Sequence, residues 1–346
     1  MQATSFIFQA LFLSLISVLI IAQICIWLAW KIKLIDYPGS APHKQHTRPT
    51  PLAGGIALAL TLSLCELLFG NLSDPNVKAT LIAGLPIFIF GLWDDYKGIS
   101  PLLKLVGQVS AAIILIHLGV YIRVFESPGF FIQGIGGIYT YLDWLITILW
   151  IVGITNAFNF VDSMDGLAVG LGGMAAAFFM LVTLDAQQFV LSQHSAFVIG
   201  ICTGLYFYNS PPARLFLGDS GAQTLGFILA VLGIAYSPQG VYGASSWFIP
   251  ILILLIPILD TVLVVFSRLR RKLPVYSARL DHTYHRLLRL GLDSNRAVLV
   301  MQITAFSLSC LAFVLLNKPP LIANLVFFVV LGLSAFSLFH LDNQGL

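Results

Sequence analysis

Charged residues are scarce in this chain. They make up 10% of its 346 residues, whereas 58% are hydrophobic. A soluble domain typically carries about 25% charged residues, so a water-soluble globular protein is excluded. The net charge of +3 is too small to indicate a nucleic-acid partner. The composition predicts one membrane-embedded domain, residues 1–346, whose main solvent is lipid.

Paired cysteines and cofactor motifs are missing as well. Cys25, Cys65, Cys202 and Cys310 all lie inside apolar runs without metal-ligand spacing, which is typical of small packing residues. The glycines of residues 134–137 lack the strand and helix that frame a nucleotide-binding loop. The sequence therefore indicates neither redox, zinc nor Walker-type chemistry.

What the chain has instead is long apolar runs. They are continuous rather than alternating, which favours an all-α bundle over a membrane barrel. The first run lacks a basic start and is too long for a signal peptide, so we expect it to span the bilayer. Residues 120–141, interrupted by glycines, predict a small extracytoplasmic hairpin. The eleven predicted transmembrane helices are 5–30, 52–69, 79–93, 101–119, 142–161, 166–184, 192–208, 221–236, 246–267, 296–316 and 320–340.

The positive charges predict how these helices are oriented. Of 18 Lys and Arg residues, all but Lys78, Arg123 and Lys318 fall in or beside the loops after odd-numbered helices. Positive loops face the cytoplasm, so we expect the N-terminus outside and the C-terminus inside. The longest such loop is 268–295, whose first basic residues, up to Lys272, could serve only as a membrane anchor.

Two neighbouring acids end the third predicted helix, in the sequence GLWDDYKG. Asp94 and Asp95 are costly at a membrane boundary unless they are paired, solvated or bound to a cation. One interpretation is a solvated helix end beside Lys97. The other is a general base, a magnesium ligand, or one of each.

A second polar set lies at the end of the fifth predicted helix, in NAFNFVDSMDGL. Its members, Asn156, Asn159, Asp162 and Asp165, are spaced by three residues and follow one helix face. Helix capping could explain one of the acids. It does not explain four such groups within ten residues.

Two more acids accompany helices eight and nine. Asp219, with Ser220 in RLFLGDSGAQ, could cap the eighth helix, or offer a carboxylate and a helix N-terminus to a metal and a phosphate. Asp260 lies roughly 10 Å inside the ninth helix. An intramembrane acid is a functional candidate, with a structural pairing to a nearby arginine as the alternative.

The last set is LDHTYHRLLRLG, which contains His282, His285 and Arg286. No cysteine or Glu-x-x-His context supports zinc, whereas histidine with arginine suits a diphosphate; a solvated basic helix face is the alternative. The first loop adds Lys44 and His46, whose role could be topological only. Acids that suit a metal and basic residues that suit phosphate thus lie on one predicted face of the membrane. This combination indicates magnesium-assisted phosphoryl or phosphosugar transfer.

In this order, the two acids, NAFNFVDSMDGL and FLGDSG resemble the polyprenyl-phosphate N-acetylhexosamine-1-phosphate transferases over roughly residues 30–295. The resemblance implies a multi-pass enzyme of the bacterial cytoplasmic membrane with its site facing the cytoplasm. Such an enzyme transfers N-acetylhexosamine-1-phosphate, here GlcNAc-1-phosphate, from a UDP-sugar to undecaprenyl or another polyprenyl phosphate. UMP leaves, and cell-envelope glycan synthesis begins. A homodimer is a possible assembly.

The resemblance also implies roles for individual residues. Asp94 would deprotonate or position the acceptor phosphate, and Phe216 would contact the uracil. Asp94, Asp95 and Asp162 are the predicted catalytic residues, and Asp219 and Asp95 would hold Mg²⁺, with Mn²⁺ as a substitute. The predicted substrate-binding residues are Lys44, His46, Asn156, Asn159, Asp165, Phe216, Asp260, His282, His285 and Arg286.

One departure bears on the donor sugar. Many relatives read His-x-His-His-Arg in the last cytoplasmic loop, but here Tyr284 takes the third position and Arg279 stands where an acid is common. This favours a UDP-GlcNAc-like donor, with phospho-N-acetylmuramoyl-pentapeptide transfer as the alternative. A transporter or flippase of a lipid-linked sugar would need midplane sites between repeats. No repeat is visible, and only Asp260 would suit such a protein.

Overall fold

A computed structural model describes residues 2–39, 48–125, 138–238, 246–274 and 281–344. The described residues are almost entirely helical. Their α-helices are α1 Gln2–Ile32, α2 Gly54–Leu68, α3 Pro75–Lys97, α4 Pro101–His117, α5 Ile138–Val161, α6 Leu167–Asp185, α7 Phe189–Asn209, α8 Gly218–Ala235, α9 Ile249–Ile253, α10 Leu255–Arg270, α11 Thr283–Arg289, α12 Ser294–Leu315 and α13 Pro320–Gln344.

Eight described helices are long and apolar enough to cross a membrane, and α2 and α4 are shorter apolar helices. The all-helical, polytopic architecture is therefore confirmed, whereas the count of eleven spans stays a prediction. Large apolar side chains on the outside of the bundle, such as Phe8, Leu321 and Phe336, are more than half exposed. Such a surface is stable in lipid rather than in water.

The ninth predicted span is not one continuous helix. It is broken at Leu254 into α9 and α10. Pro257, three residues on, has no N–H to donate to the carbonyl of Ile253, so the regular helical ladder is interrupted there. The segment 268–295 is also not simply a loop, because α10 continues to Arg270 and α11 forms within it.

The predicted hairpin at 120–141 falls largely outside the described residues, and α5 begins at Ile138, inside its predicted range. The described part, residues 120–125, is irregular and is fixed by the buried Asp143 carboxylate. One Asp143 oxygen accepts hydrogen bonds from the N–H groups of Val124 (3.0 Å) and Phe125 (2.9 Å).

Helix α8 lies at the centre of the bundle. It packs against α3, α5 and α2. The buried share is 78% for α8 but only 11% for the most apolar stretch of α13, which is peripheral. Helix α8 therefore fixes where the ends of its neighbours meet.

A two-stranded antiparallel sheet closes the first loop, with β1 at Ile35–Asp36 and β2 at Thr50–Pro51. Beyond β2, Leu52 forms a parallel bridge with Phe216, and the Phe216 N–H donates to the carbonyl of Pro51 (2.9 Å). The base of the first loop is thus attached to the segment before α8. Lys44 and His46 lie outside the described residues.

The opposite end of α2 carries a buried glutamate–histidine contact that the sequence did not indicate. The Glu66 carboxylate contacts Nδ1 of His194 on α7 and accepts a 2.9 Å hydrogen bond from Nδ2 of Asn71. Both side chains are at least 98% buried. Glu66 lies eleven residues after Gly55, about 16 Å along the helix, so the pair is remote from the start of α2.

We expect Glu66→Ala to lower the free energy of unfolding by about 3–5 kcal/mol, because it leaves a buried group without its partner. The double variant Glu66→Leu/His194→Leu should cost less than the single one, since it strands only the Asn71 amide, whereas Glu66→Ala strands His194 as well. Thermal unfolding in detergent measures both. A double variant less stable than Glu66→Ala would contradict the argument.

Candidate active site

The ends of α3 and α8 are joined by Asp95. Its Oδ1 accepts the Asp219 N–H (2.7 Å), and its Oδ2 accepts the N–H (3.1 Å) and the hydroxyl (2.6 Å) of Ser220. Gly218 has φ of +72°, and a Cβ there would lie 2.7 Å from Asp95 Oδ2. A glycine is therefore needed for this approach. Asp95 holds the first turn of α8 in place, and its predicted metal role stays a prediction.

Two further glycines let the neighbouring backbones approach α8. A Cβ on Gly91 of α3 would lie 2.6 Å from the Ser220 Cα, and one on Gly55 of α2 would lie 2.7 Å from the Ser220 carbonyl carbon. Three helices thus meet at one residue of α8. The backbone beside Asp219 is therefore packed closely against both α2 and α3.

Lys104, one turn into α4, lies between two of the predicted acids. Its Nζ is 2.7 Å from Asp94 Oδ2 and also contacts Asp219 Oδ2. The other Asp94 oxygen accepts the Ile99 N–H (2.7 Å), and the Asp94 and Asp219 carboxyls are themselves in hydrogen-bond contact. Two carboxyls from different helices therefore share one ammonium group.

Amide side chains continue this arrangement into the bundle. Gln223 Nε2 donates to Asp219 Oδ2 (3.3 Å), and Gln108 Nε2 donates to Gln223 Oε1 (2.9 Å). Asn156 Nδ2 donates to Gln108 Oε1 (2.7 Å). Asn156 thus reaches the acids through two glutamines, whereas Asn159 bonds Asp219 directly.

The turn between α5 and α6 carries two acids in different surroundings, Asp165 with a backbone N–H partner and Asp162 among other acids. Asp165 Oδ2 accepts the Ala213 N–H (3.1 Å), which ties this turn to the segment before α8. Asp162 follows the last residue of α5. Burial, and then the negative charges of Asp219, Asp95 and Asp165, raise the pKa of Asp162 well above its usual range. Asp162 therefore belongs to the same electrostatic cluster as the acids of α3 and α8.

Helix α11 is anchored on Asp260, the acid inside α10. One Asp260 oxygen bonds His282 Nδ1 (2.9 Å), and the other accepts the Thr283 N–H (2.6 Å). Asp260 is almost fully buried. Its partners are a histidine and a backbone N–H, whereas the structural alternative predicted an arginine.

Aromatic and hydroxyl contacts bring α11 beside the turn that carries Asp162. The His282 ring lies 5.7 Å from that of Phe160, and Tyr284 hydrogen-bonds Ser163. The Tyr284 hydroxyl also bonds Nε2 of His285 (2.6 Å). Burial, with the charges of His282 and Arg289, lowers the pKa of His285 to about 4, so this imidazole is neutral near pH 7.

Arg286 has partners within the protein. Its Nη1 bonds Asp342 Oδ1 (3.0 Å) and the Leu341 carbonyl (3.0 Å), and its Nε bonds the Asp281 carbonyl (3.1 Å). The residue is 3% exposed. The position predicted to bind a diphosphate is thus turned toward α13.

The structure brings most of the predicted residues to one end of the bundle. Phe216 is there too, partly exposed, with its carbonyl accepting the Gly54 N–H (3.0 Å). Sequence reasoning missed Lys104, Gln108 and Gln223. The signal that could have found two of them is a lysine and a glutamine four residues apart on a helix that is otherwise mostly apolar.

An apolar bundle that gathers acids, an ammonium group and amides at one end defines an integral membrane protein with an enzyme-like polar site. Residues 77–237, from α3 through α8, match the family model described as Glycosyl transferase family 4. The chain belongs to this family.

Named relatives agree with that assignment. The chain is 31% identical to a probable undecaprenyl-phosphate N-acetylglucosaminyl 1-phosphate transferase of Bacillus subtilis, over 93% of this chain and 88% of the relative. It is 33% identical to a decaprenyl-phosphate N-acetylglucosaminephosphotransferase of Mycobacterium tuberculosis, over 79% and 74%. A phospho-N-acetylmuramoyl-pentapeptide-transferase of Lactiplantibacillus plantarum is 29% identical over 54% and 61%.

Proposed function

We propose that this protein transfers GlcNAc-1-phosphate from UDP-GlcNAc to a polyprenyl phosphate and releases UMP. The relatives that cover most of the chain carry names of this reaction, with undecaprenyl or decaprenyl phosphate as the lipid. The observation that carries the proposal is the meeting of Asp94, Asp219 and Lys104 at the helix ends. A site at one end of a membrane bundle suits a reaction between a soluble nucleotide sugar and a lipid phosphate.

The donor atoms at this site fit magnesium once phosphate is included. Among the described residues there is no group of three or more His, Cys, Asp or Glu side chains that could hold a metal ion. Two carboxylates plus substrate phosphates are, however, a common magnesium environment. We infer that Asp94 and Asp219 hold Mg²⁺ together with the donor diphosphate. The ion supplies charge neutralisation at the phosphate oxygens.

The charge of the site supports the same proposal. Five acids, Asp94, Asp95, Asp162, Asp165 and Asp219, form one electrostatic cluster in the described part of the site, and the ammonium group of Lys104 contacts two of them, Asp94 and Asp219. An anionic diphosphate would be repelled by such a cluster unless a cation accompanied it. A bound divalent cation and Lys104 together would make diphosphate binding favourable.

The chemistry asks the protein for positioning and electrostatics more than for covalent work. An oxygen of the polyprenyl phosphate attacks the sugar-linked phosphorus, and the bond from that phosphorus to the UMP oxygen breaks. Asp94 would help to position the acceptor phosphate, whose attacking oxygen is already anionic near pH 7. Lys104 stays beside the reacting oxygens and offsets their growing negative charge.

Two further groups are distinguished by their pKa values. Burial and the neighbouring acids raise the pKa of Asp162, so a cation bound beside it would be favourable. The neutral His285 can take part only through hydrogen bonds, because its lowered pKa removes the charge. We therefore assign charge neutralisation to Lys104 and the metal, and recognition of the donor to α11.

We propose that the site faces the cytoplasm of a bacterial inner membrane. The support is the excess of Lys and Arg in the loops at this end of the chain's predicted topology. UDP-sugars are charged and do not cross a bilayer, so the proposal also predicts from which side the donor must be added.

The direct test is UMP release by purified protein in the presence of Mg²⁺ and polyprenyl phosphate. UDP-GlcNAc, UDP-GalNAc and UDP-N-acetylmuramoyl-pentapeptide are compared as donors, and we expect the fastest release with UDP-GlcNAc. Sealed vesicles of both orientations extend the assay. Those with the former cytoplasmic face outward should release UMP from added donor, and right-side-out vesicles should not.

A reaction without lipid phosphate is the control, since it measures simple hydrolysis of the donor. Folded protein that releases no UMP with any of the three donors would refute the proposal. Fastest release with the muramoyl-pentapeptide donor would instead support the activity named for the Lactiplantibacillus plantarum relative.

A further inference from the structure

The last turn of α13 holds a carboxylate that is buried although most of this helix is exposed. Asp342 is 0% exposed. Its Oδ2 is 2.9 Å from Arg270 Nη1, and its Oδ1 is 3.1 Å from Arg271 Nη2 and 3.0 Å from Arg286 Nη1. One acid thus gathers two arginines at the end of α10 and one from α11.

Arg286 is the only one of the three that belongs to α11, and it is also the most buried. Its backbone N–H donates to the carbonyl of His282 (3.2 Å), one turn earlier, and His285 is its neighbour in sequence. Arg286 therefore ties α11, which begins directly after His282 and carries His285, to α13. Among the described residues, Arg286 Nη2 has no hydrogen-bond partner.

The two sides of α11 are held by different elements. Asp260 of α10 fixes its beginning through His282 and the Thr283 N–H. The α13 contacts fix the other side, where Arg286 Nη1 also bonds the carbonyl of Leu341 (3.0 Å). Truncating either anchor would leave α11 held by the other anchor and by its contacts with Phe160, Ser163 and α12.

We propose that Asp342 is a positioning residue for the donor site, and that it acts by locking Arg286 and hence α11. The inference rests on the proposed function, in which His282 and His285 recognise the UDP-sugar. Asp342 itself touches no substrate. Arg286 then serves as the receiving end of the lock rather than as a direct ligand of the diphosphate.

The test compares Asp342→Asn with Asn343→Ala in full-length protein. Asn343 is the matched control, because it lies in the same turn and bonds Arg270 (2.9 Å) but contacts no residue of α11 in the described structure. We expect Asp342→Asn to raise the KM for UDP-GlcNAc about tenfold, since small misplacements of binding groups have effects of this size. Its KM for polyprenyl phosphate and its kcat should stay near those of Asn343→Ala.

A double-variant cycle separates the lock from direct binding. If Arg286 acts through Asp342, then Arg286→Gln, Asp342→Asn and the double variant should raise the donor KM by the same factor. An unchanged donor KM in Asp342→Asn would overturn the proposal. A rise in the KM values of both substrates by the same factor, together with an equal fall in kcat, would also overturn it, because that pattern would indicate general unfolding.

Hydrogen–deuterium exchange provides a readout that does not depend on the reaction. Asp342→Asn should exchange faster at residues 281–291 than either wild type or Asn343→Ala, with the rest of the bundle unchanged. Unchanged exchange at 281–291 would refute the lock even if the enzyme is active. Absence of UMP release by wild-type protein would refute the proposed function but leave this measurement valid.

Discussion

Asp219→Asn should lower the turnover of UMP release by about 10²–10³-fold, the range found when one transition-state electrostatic contact is removed. The amide keeps the size of the side chain and can still bond Gln223. It removes the charge that meets Lys104 and that we assign to Mg²⁺. The variant should also need a higher Mg²⁺ concentration for half-maximal activity.

The same substitution should not destabilise the fold. It removes one of the acids that crowd this end of the bundle, and Lys104 keeps Asp94 as a partner (2.7 Å). We therefore expect an unfolding temperature equal to or above that of wild type, which is the usual pattern for a charge retained for function.

Asp293→Asn is the matched control for this change. Asp293 is an exposed acid that caps α12 through a 2.8 Å hydrogen bond from the Arg296 N–H, and asparagine caps helices equally well. Activity of Asp219→Asn within threefold of this control would remove Asp219 from the reaction.

The parts of this protein that could be predicted from sequence are those with a local cause. Continuous apolar runs correctly predicted an all-helical membrane bundle, because each helix satisfies its own backbone in lipid. Asp94, Asp162 and Asp219 stood out, because acids are costly beside lipid unless they have a partner. The break at Leu254 was missed, although Pro257 lies close by in the sequence.

What the sequence could not supply was the partner of each polar group. Asp94 and Asp95 are adjacent, but successive residues of a helix point in different directions. Only the packing of α8 against α3 shows that Asp95 meets Ser220 while Asp94 meets Lys104. Arg286 pairs with Asp342, which lies 56 residues further along the chain, and no local pattern indicates that partner.

Lys104 was overlooked for a related reason. In a membrane protein a lysine near a helix end is ordinarily explained by topology, since positive residues mark the cytoplasmic side. That explanation is sufficient for Lys97, which is exposed. It is insufficient for Lys104, whose ammonium group is shared between two acids from different helices.

Lys104→Met should therefore reduce turnover by about 10²–10³-fold, as expected when a charge that stabilises the transition state is lost. Methionine keeps an unbranched side chain of similar length but removes the ammonium group. Asp94 and Asp219, already in hydrogen-bond contact, are then left without their shared cation. Lys97→Met, at the exposed end of α3, is the matched control and should keep wild-type activity.

The stability of Lys104→Met distinguishes its role from that of Asp219. Because the change leaves two neighbouring acids uncompensated, the unfolding temperature without Mg²⁺ should fall, opposite in sign to Asp219→Asn. Added Mg²⁺ should restore more of that loss than it adds to wild type, since a cation bound between Asp94 and Asp219 replaces the missing charge. If Lys104→Met unfolds at the wild-type temperature and keeps wild-type turnover, Lys104 is a topological charge, and the two acids must be neutralised in another way.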